Sequence, residues 1–412
     1  MFSKEKIIKI LRWSEKYTKT DMVYFTKGSF WLLLDNVLSS LFSLASMIAF
    51  SYWLPKEAFG TFQYITSTIG IVAIFSLPAM EGTLTRAIAK GKEGMVVLCA
   101  KVKLKWSMIG SLISLGISSW YFIHQNHLLA FGFLLGALFM PLTRVFNLGL
   151  SFWQGKKKFD IFSKYKIFIN LSETVFIIVP ILLTKNLVIV LTSYFVSRSL
   201  FRGIVYFKTL RKTENSKQDK ETIPFGKHIT LMSSLNKFAD GIDNIIIWQF
   251  LGPIAVAIYN FAKLPINKAT SLIPLDTLAL PKLSQRHIPS IKQQLIKKLS
   301  LFFLMTIPLA IIVAAVMPLA FKIVFPAYLN SIPYAQILCI SFIFLPFVVI
   351  QTALVADLKT KELYIIKILP PIIKIGLLFF LIPIYQLWGV IAAILISQAI
   401  SAITGLYFFS RI

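Results

Sequence analysis

The chain has 412 residues, 57% of them hydrophobic and only 15% charged, with a net charge of +26. An ordinary water-soluble domain is excluded, because apolar usage there runs about 45–50%; a chain that crosses a bilayer many times fits. Two cysteines and four histidines, with no His-Glu-x-x-His run and no Cys/His cluster, exclude a disulfide framework and predict no metal site.

Residues 1–27 are basic and mixed, with no short apolar core before a small-residue cleavage site, so no cleavable signal is expected. Ile7, Ile10, Leu11, Ser14 and Tyr17 share a helical face opposite Lys4, Lys6, Lys9, Arg12, Lys16 and Lys19. The segment reads as an interfacial helix on an anionic leaflet or as a solvated lead-in.

A crossing helix needs about 20 mainly apolar residues. Twelve stretches qualify: 28–52, 60–84, 106–123, 128–150, 161–183, 186–207, 229–251, 254–280, 299–321, 332–356, 365–383 and 387–409. With the N-terminus inside, cytoplasmic segments hold 33 of the 43 Lys and Arg, external loops only Lys56, Lys185 and Lys322, and the spans the remaining 7. This asymmetry predicts cytoplasmic termini. It also accounts for most of the net charge without a nucleic-acid partner. The external loops at 124–127, 184–186 and 252–253 leave no room for a catalytic domain.

The charged stretch 208–228 lacks periodicity and reads as a cytoplasmic linker. It divides a first six-span bundle, 28–207, from a second, 229–412. The halves carry related motifs. Leu54-Pro-Lys-Glu-Ala-Phe-Gly-Thr-Phe-Gln-Tyr64 resembles Leu251-Gly-Pro-Ile-Ala-Val-Ala-Ile-Tyr-Asn-Phe261 at an offset of 197. Gly155-Lys-Lys-Lys-Phe-Asp-Ile-Phe-Ser-Lys164 resembles Leu358-Lys-Thr-Lys-Glu-Leu-Tyr-Ile-Ile-Lys367 at an offset of 203. Six spans per half make these parallel repeats.

The spans also carry charge. Their cations are Arg144, Arg198, Arg202, Lys237, Lys263, Lys268 and Lys374; their acids are Asp35, Glu81, Glu173, Asp240, Asp243 and Asp276. Thirteen isolated charges at about 3 kcal/mol each would cost about 40 kcal/mol. Folding stabilities run about 5–15 kcal/mol, so most of these charges must be hydrated, paired or interfacial. Glu81 and Asp276 sit near cytoplasmic ends, where they can reach water. Lys237, Asp240 and Asp243 lie near one helical stripe, facing either a wet cavity or a paired helix. Arg198 and Arg202, one turn apart, read as a phosphate grip or as an end anchor. Lys263 shares a face with Asn267, whereas Lys268 points elsewhere. Pro265, Pro274 and Pro281 permit a bend in the eighth span. A cation set matching or exceeding the acids suggests an anionic cargo such as a phosphate or pyrophosphate head group, not a cationic drug. Asp35, Glu173, Asp240 and Asp243 would bind a coupling proton or cation or hold the lysines and arginines in place.

On the motifs 54–64, Gln154-Gly-Lys-Lys-Lys-Phe159 and Leu251–Tyr259, each following a span, the chain resembles Wzx-type polysaccharide flippases. These belong to the MATE/MOP superfamily with MATE exporters and lipid II flippases. The resemblance implies an all-α polytopic fold of twelve transmembrane helices in two pseudo-symmetric six-helix bundles around a central cavity. It implies translocation of an undecaprenyl-pyrophosphate-linked oligosaccharide from inner to outer leaflet of the cytoplasmic membrane by alternating access, for O-antigen or capsule assembly. Membrane lipids and other polysaccharide-assembly proteins would be the partners. No cofactor is expected beyond a coupling H+ or Na+. Cavity cations on the first, second, seventh and eighth spans are typical; the last two supply Lys237 and Lys263, but the first offers Asp35 and the second only Arg86. The alternative on the same scaffold is a cation-coupled drug or metabolite antiporter. An enzyme is not expected: Asp240-Gly-Ile-Asp243 has the wrong spacing for an Asp-x-Asp pair.

Overall fold

The computed structural model describes residues 22–272, 288–356 and 360–411. Every regular element among them is helical: α1 (Met22–Trp53), α2 (Lys56–Val72), α3 (Met80–Ala89), α4 (Met95–Ile123), α5 (His127–Phe146), α6 (Leu148–Gly155), α7 (Phe159–Thr184), α8 (Leu187–Leu210), α9 (Thr222–Leu272), α10 (Ile288–Val324), α11 (Ile332–Leu338), α12 (Leu345–Ala356), α13 (Thr360–Tyr385) and α14 (Leu387–Ser410). Short 3-10 turns run over Ala73–Ser76, Pro326–Ser331 and Cys339–Phe344. The proposed interfacial helix up to residue 21, with Pro274, Asp276 and Pro281, lies outside the described residues.

Ten described stretches are long and apolar enough to cross a bilayer. One, Thr222–Thr270, has 49 residues, twice a crossing length. It is broken at Gly252, whose φ of 78° and ψ of −174° belong to a region that only glycine occupies readily. The 29-residue α4 adds a further span, its apolar character diluted by Lys101, Lys103 and Lys105. The expected twelve crossings are thus accounted for, and the protein is an all-α, multi-pass membrane protein. Its surface agrees: Leu183, Phe380 and Leu231 stand 79%, 75% and 74% exposed, a face suited to lipid and not to water.

The short loops before α5 and α8 are closed by polar caps. Asn126 accepts from the Leu129 N–H at 3.2 Å to start α5, and Asn186 accepts from the Val188 N–H at 2.9 Å to start α8.

The chain forms two compact units. One comprises residues up to Met47 with Phe75–Thr230; the other comprises Ile48–Ile74 with Leu231–Ile412. Residues 48–74 therefore pack with the C-terminal spans, not with the 28–207 segment that sequence order assigns them to. In the first unit, an apolar core that includes Met80, Leu84, Met95, Leu148 and Phe152 is joined by a seam of small polar residues between α4 and α5. Ser111, Ser114 and Ser118 form a stripe on α4 and donate to the carbonyls of Ala137, Phe133 and Ala130 on α5 at 2.6, 2.9 and 2.6 Å. In the second unit, α2 lies against the turn of α9. A Cβ added at Gly60 would fall 1.9 Å from the Pro253 carbonyl oxygen, so only glycine permits this approach. Tyr64 stacks on Trp248 at 4.5 Å along the same contact.

The 208–228 segment is shorter as a connector than its charge suggested. Helix α8 runs to Leu210 and α9 begins at Thr222. The residues between are held down. Glu93, on the α3–α4 turn and 2% exposed, bonds Lys156, accepts the Glu214 N–H at 2.6 Å and has its own N–H bonded to Asn215. Gly94 lies under Ser216, whose carbonyl a Cβ would meet at 2.3 Å. Burial pushes the Glu93 carboxyl up, but the Lys156 hydrogen bond, the Glu214 N–H and the Lys156 charge together hold it below the ordinary carboxylate value. The Glu93 hydrogen bond raises Lys156 in turn.

Two predictions follow this packing. Gly60→Ala is expected to destabilise the protein by at least about 1–3 kcal/mol, because backbone must move. Gly70→Ala, with nothing within 4 Å of its Cβ, should leave the melting temperature in detergent unchanged or higher. The depressed Glu93 adds stability that is complete above its ordinary value of 4.5 and lost as pH falls through its lower folded-state value. The raised Lys156 adds stability complete below 10.5 and lost as pH rises through its higher folded-state value. Glu93→Gln should therefore lower the melting temperature at pH 7 and speed tryptic cleavage after Arg211 and Lys212, with the gap to wild type closing at acid pH.

Candidate functional site

Helix α7 presents Lys166, Asn170 and Glu173 at helical spacing, a polar stripe on an otherwise apolar helix. At its end Glu173 meets α8. Arg202 Nη2 lies 2.8 Å from Glu173 Oε1 and Arg198 Nε 3.5 Å from Oε2. Arg198 also donates to the Tyr194 hydroxyl one turn earlier. Arg144 of α5 lies within electrostatic reach of both arginines and of Glu81. The Arg202 side chain is 11% exposed and that of Arg198 32%. One arginine is sealed, and its neighbour stays partly open.

The second unit repeats this arrangement with lysines. Asp243 on the first arm of α9 is 1% exposed. Lys374 Nζ of α13 lies 2.7 Å from its Oδ1, and Lys263 Nζ on the second arm 3.5 Å from its Oδ2. The Tyr259 hydroxyl donates to Oδ2 at 2.6 Å, and Lys263 Nζ donates to that hydroxyl at 3.1 Å. Lys374 also donates to the Ala239 carbonyl at 2.8 Å. Here too one cation is closed and one open: side-chain exposure is 11% for Lys374 and 30% for Lys263. The turn at Gly252 makes these contacts possible, since it sets residues before and after it side by side. One step along, Asn260 donates to Asn244 Oδ1 at 2.8 Å and Asn244 donates to Ser67 of α2 at 2.7 Å.

The remaining site candidates fall elsewhere. Asp35 of α1 is 1% exposed and bonds Lys166 at 2.6 Å; Ser39 donates to Asp35 at 3.1 Å and Asn170 to Ser39 at 2.7 Å. Lys237 and Asp240 are exposed on the first arm of α9, and Lys268 is half-buried on the second. By exposure the Lys237–Asp240–Asp243 stripe splits: Asp243 is buried, whereas Lys237 and Asp240 are exposed. Glu81 does not simply reach water. It bonds Lys103 at 2.8 Å, and Lys103, counted above among the cytoplasmic basic residues, is fully buried.

Sequence reasoning missed Lys103, Lys166, Tyr194 and Tyr259. Lys166 was legible in principle, two turns before Glu173 on one face. Tyr194 and Tyr259 each precede a chosen cation by four residues, a spacing that puts them beside it.

Bundled apolar helices that carry ion pairs define a multi-pass membrane protein. Its fold is shared with solved transporters: an inward-facing multidrug resistance MATE family transporter of the MOP superfamily superposes with a TM-score of 0.67 at 15% identity, over 90% of this chain and 94% of that one. A MOP superfamily transporter from Pyrococcus furiosus gives 0.63 at 15% identity, over 94% and 95%. Within that fold, residues 25–285 match the family described as Polysaccharide biosynthesis protein, and the chain belongs to this family. A Shigella flexneri protein named for O-antigen transport is 25% identical over 402 residues, covering 88% of this chain and 92% of its own length. A Klebsiella pneumoniae membrane protein named for the cps region is 24% identical over 276 residues, 63% of this chain, and the match spans about half, 55%, of that protein. The Wzx-type resemblance and the MATE-like, all-α fold class hold.

Removing one member of a buried ion pair typically costs about 3–5 kcal/mol, because the other charge is left behind. Asp243→Asn should therefore lower the melting temperature of the purified protein sharply, whereas Asp240→Asn, at an exposed position, should leave it within about 0.5 kcal/mol of wild type.

Proposed function

We propose that the protein is a flippase, not an enzyme, and that it carries an undecaprenyl-pyrophosphate-linked oligosaccharide from the inner to the outer leaflet of the cytoplasmic membrane by alternating access. Both termini face the cytoplasm in this reading. The observation that carries it is the charge ratio at depth: Glu173 faces Arg198 and Arg202, and Asp243 faces Lys263 and Lys374. Each group keeps a net positive charge, and Arg144 adds to the first. A pyrophosphate satisfies such surplus cations, and guanidinium forks suit its oxygens. Within each unit the open member, Arg198 in the first and Lys263 in the second, is the contact assigned to a phosphate; Arg202 and Lys374 hold the acids. Lys237 and Lys268 are proposed as outer cations on the path, and Asp35, Glu173 and Asp243 as charge-pairing groups. A coupling H+ or Na+ would act at Asp240 or Asp243. Lipid-linked glycan and membrane lipid are the proposed partners, along with other polysaccharide-assembly proteins.

The O-antigen transport of the Shigella relative supports this cargo. A cation-coupled drug antiporter, the second reading, would draw on acids at depth; Asp35, Glu81, Glu173 and Asp243 are ion-paired, which leaves Asp240 as the acid it would use.

Arg198→Gln with Lys263→Gln is predicted to abolish surface-glycan export in a deletion strain by at least tenfold while the variant still reaches the membrane. Undiminished export on a glycan gel would refute the flippase reading, and resistance to cationic drugs on overexpression would favour the antiporter.

A further inference from the structure

The second unit holds a cavity of about 240 Å³ beside the second arm of α9, the Cys339–Phe344 turn, α12 and α14. Asn267, Gln351, Gln398 and Ser401 line it, with Phe344 and Phe347 as apolar wall. No charged residue lines it. Gln398 is midway along the spanning helix α14.

Its hydrogen bonds do not close. Gln351 donates to Ser401 at 2.9 Å. The Gln398 carboxamide oxygen is buried without a partner among the described residues. Native structures rarely leave a buried amide oxygen unpaired, and the side chain that carries this one lines a cavity with room for a guest. The walls say what kind. An anion would find no cation there, and a cation no carboxylate. Side-chain amides offer a donor and an acceptor side by side, which suits neighbouring hydroxyls on one ring, and the phenylalanines suit its C–H face. The volume falls below the roughly 300–1,000 Å³ of pockets for drug-sized ligands, so it takes one ring and not several.

Position links the cavity to the cation group. Asn267 follows Lys263 by one helical turn on the same face, about 6 Å along the axis at ~1.5 Å per residue. The first unit differs at the corresponding place. The twelfth span, which carries Gln398, corresponds in order to the sixth, which carries Arg198 and Arg202. The same span carries guanidinium groups in one half and neutral side chains in the other.

We propose that this amide-lined cavity is a subsite for a neutral sugar ring, the one attached to the phosphate that Lys263 contacts. The proposal rests on the flippase reading for its cargo, but its test is separate. Full-length protein in lipid nanodiscs is titrated with the methyl glycosides of glucose, galactose, rhamnose and N-acetylglucosamine, and separately with inorganic pyrophosphate, by saturation-transfer NMR. At least one glycoside should bind saturably. Gln398→Leu and Asn267→Leu should each weaken it at least tenfold while leaving pyrophosphate binding within twofold, and Arg198→Gln should do the reverse. Gln398→Leu replaces an unpartnered group by an apolar one, so its melting temperature should not fall below wild type; Asn267→Leu, on a different wall, serves as the second variant. No glycoside binding by the wild type, or binding undiminished in both amide variants, overturns the subsite. If export in cells is lost in Arg198→Gln with Lys263→Gln while no glycoside binds, the subsite falls and the flippase reading stands. If a glycoside binds at the amides while those cation variants export normally, the subsite stands and the flippase reading falls.

Discussion

The structure depends on one electrostatic constraint: an acid at bilayer depth must have its charge answered locally. A lone carboxylate at the centre of a span costs several kcal/mol, and a nearby cation offsets that cost. Glu173 and Asp243 meet the constraint with more positive charge than neutrality requires, and a tyrosine hydroxyl joins each group. The extra cation is then available to something else. In the first unit it is a guanidinium, planar and fork-shaped; in the second it is an ammonium, a compact point charge. The two ends of the machinery are therefore chemically unlike although they share a plan.

The same fold in MATE exporters, at about 15% identity, carries different cargo. A scaffold of packed spans says little about what passes through it. The serine stripe of α4 and the glycine approach of α2 belong to the scaffold, because they settle how closely helices lie. The ion-pair groups are what the proposed flippase reading assigns to the cargo, because scaffold packing alone would be served as well by apolar side chains.

The fold was largely legible in the sequence, since crossing length and lysine placement are imposed by the bilayer itself. Short external loops, the break at Gly252 and the existence of charges at depth could all be read from residue order. The partners of those charges could not. Lys103 and Lys166 sit near cytoplasmic ends, where a hydropathy window counts a lysine as solvated; which way each turns depends on Glu81 and Asp35, 22 and 131 residues away. The Lys237–Asp240–Asp243 stripe failed because three-residue steps drift around a helix, so the stripe's ends face different neighbours. The neutral amides escaped notice because a search for charge passes over them. The packing of 48–74 with the C-terminal spans rests on Gly60, whose role depends on a carbonyl almost two hundred residues away.

The tight bend at Gly252 has a consequence for how the chain enters the membrane during synthesis. With so little chain outside, the two arms of α9 cannot be threaded far apart, and Asp243 and Lys263 sit at one depth on facing helices. Either arm alone would carry an ion into hydrocarbon at about 2.5–3.5 kcal/mol. Moving as a hairpin, they bring carboxylate and ammonium together, and the seventh segment becomes a stable resident of the bilayer only once the eighth has left the ribosome.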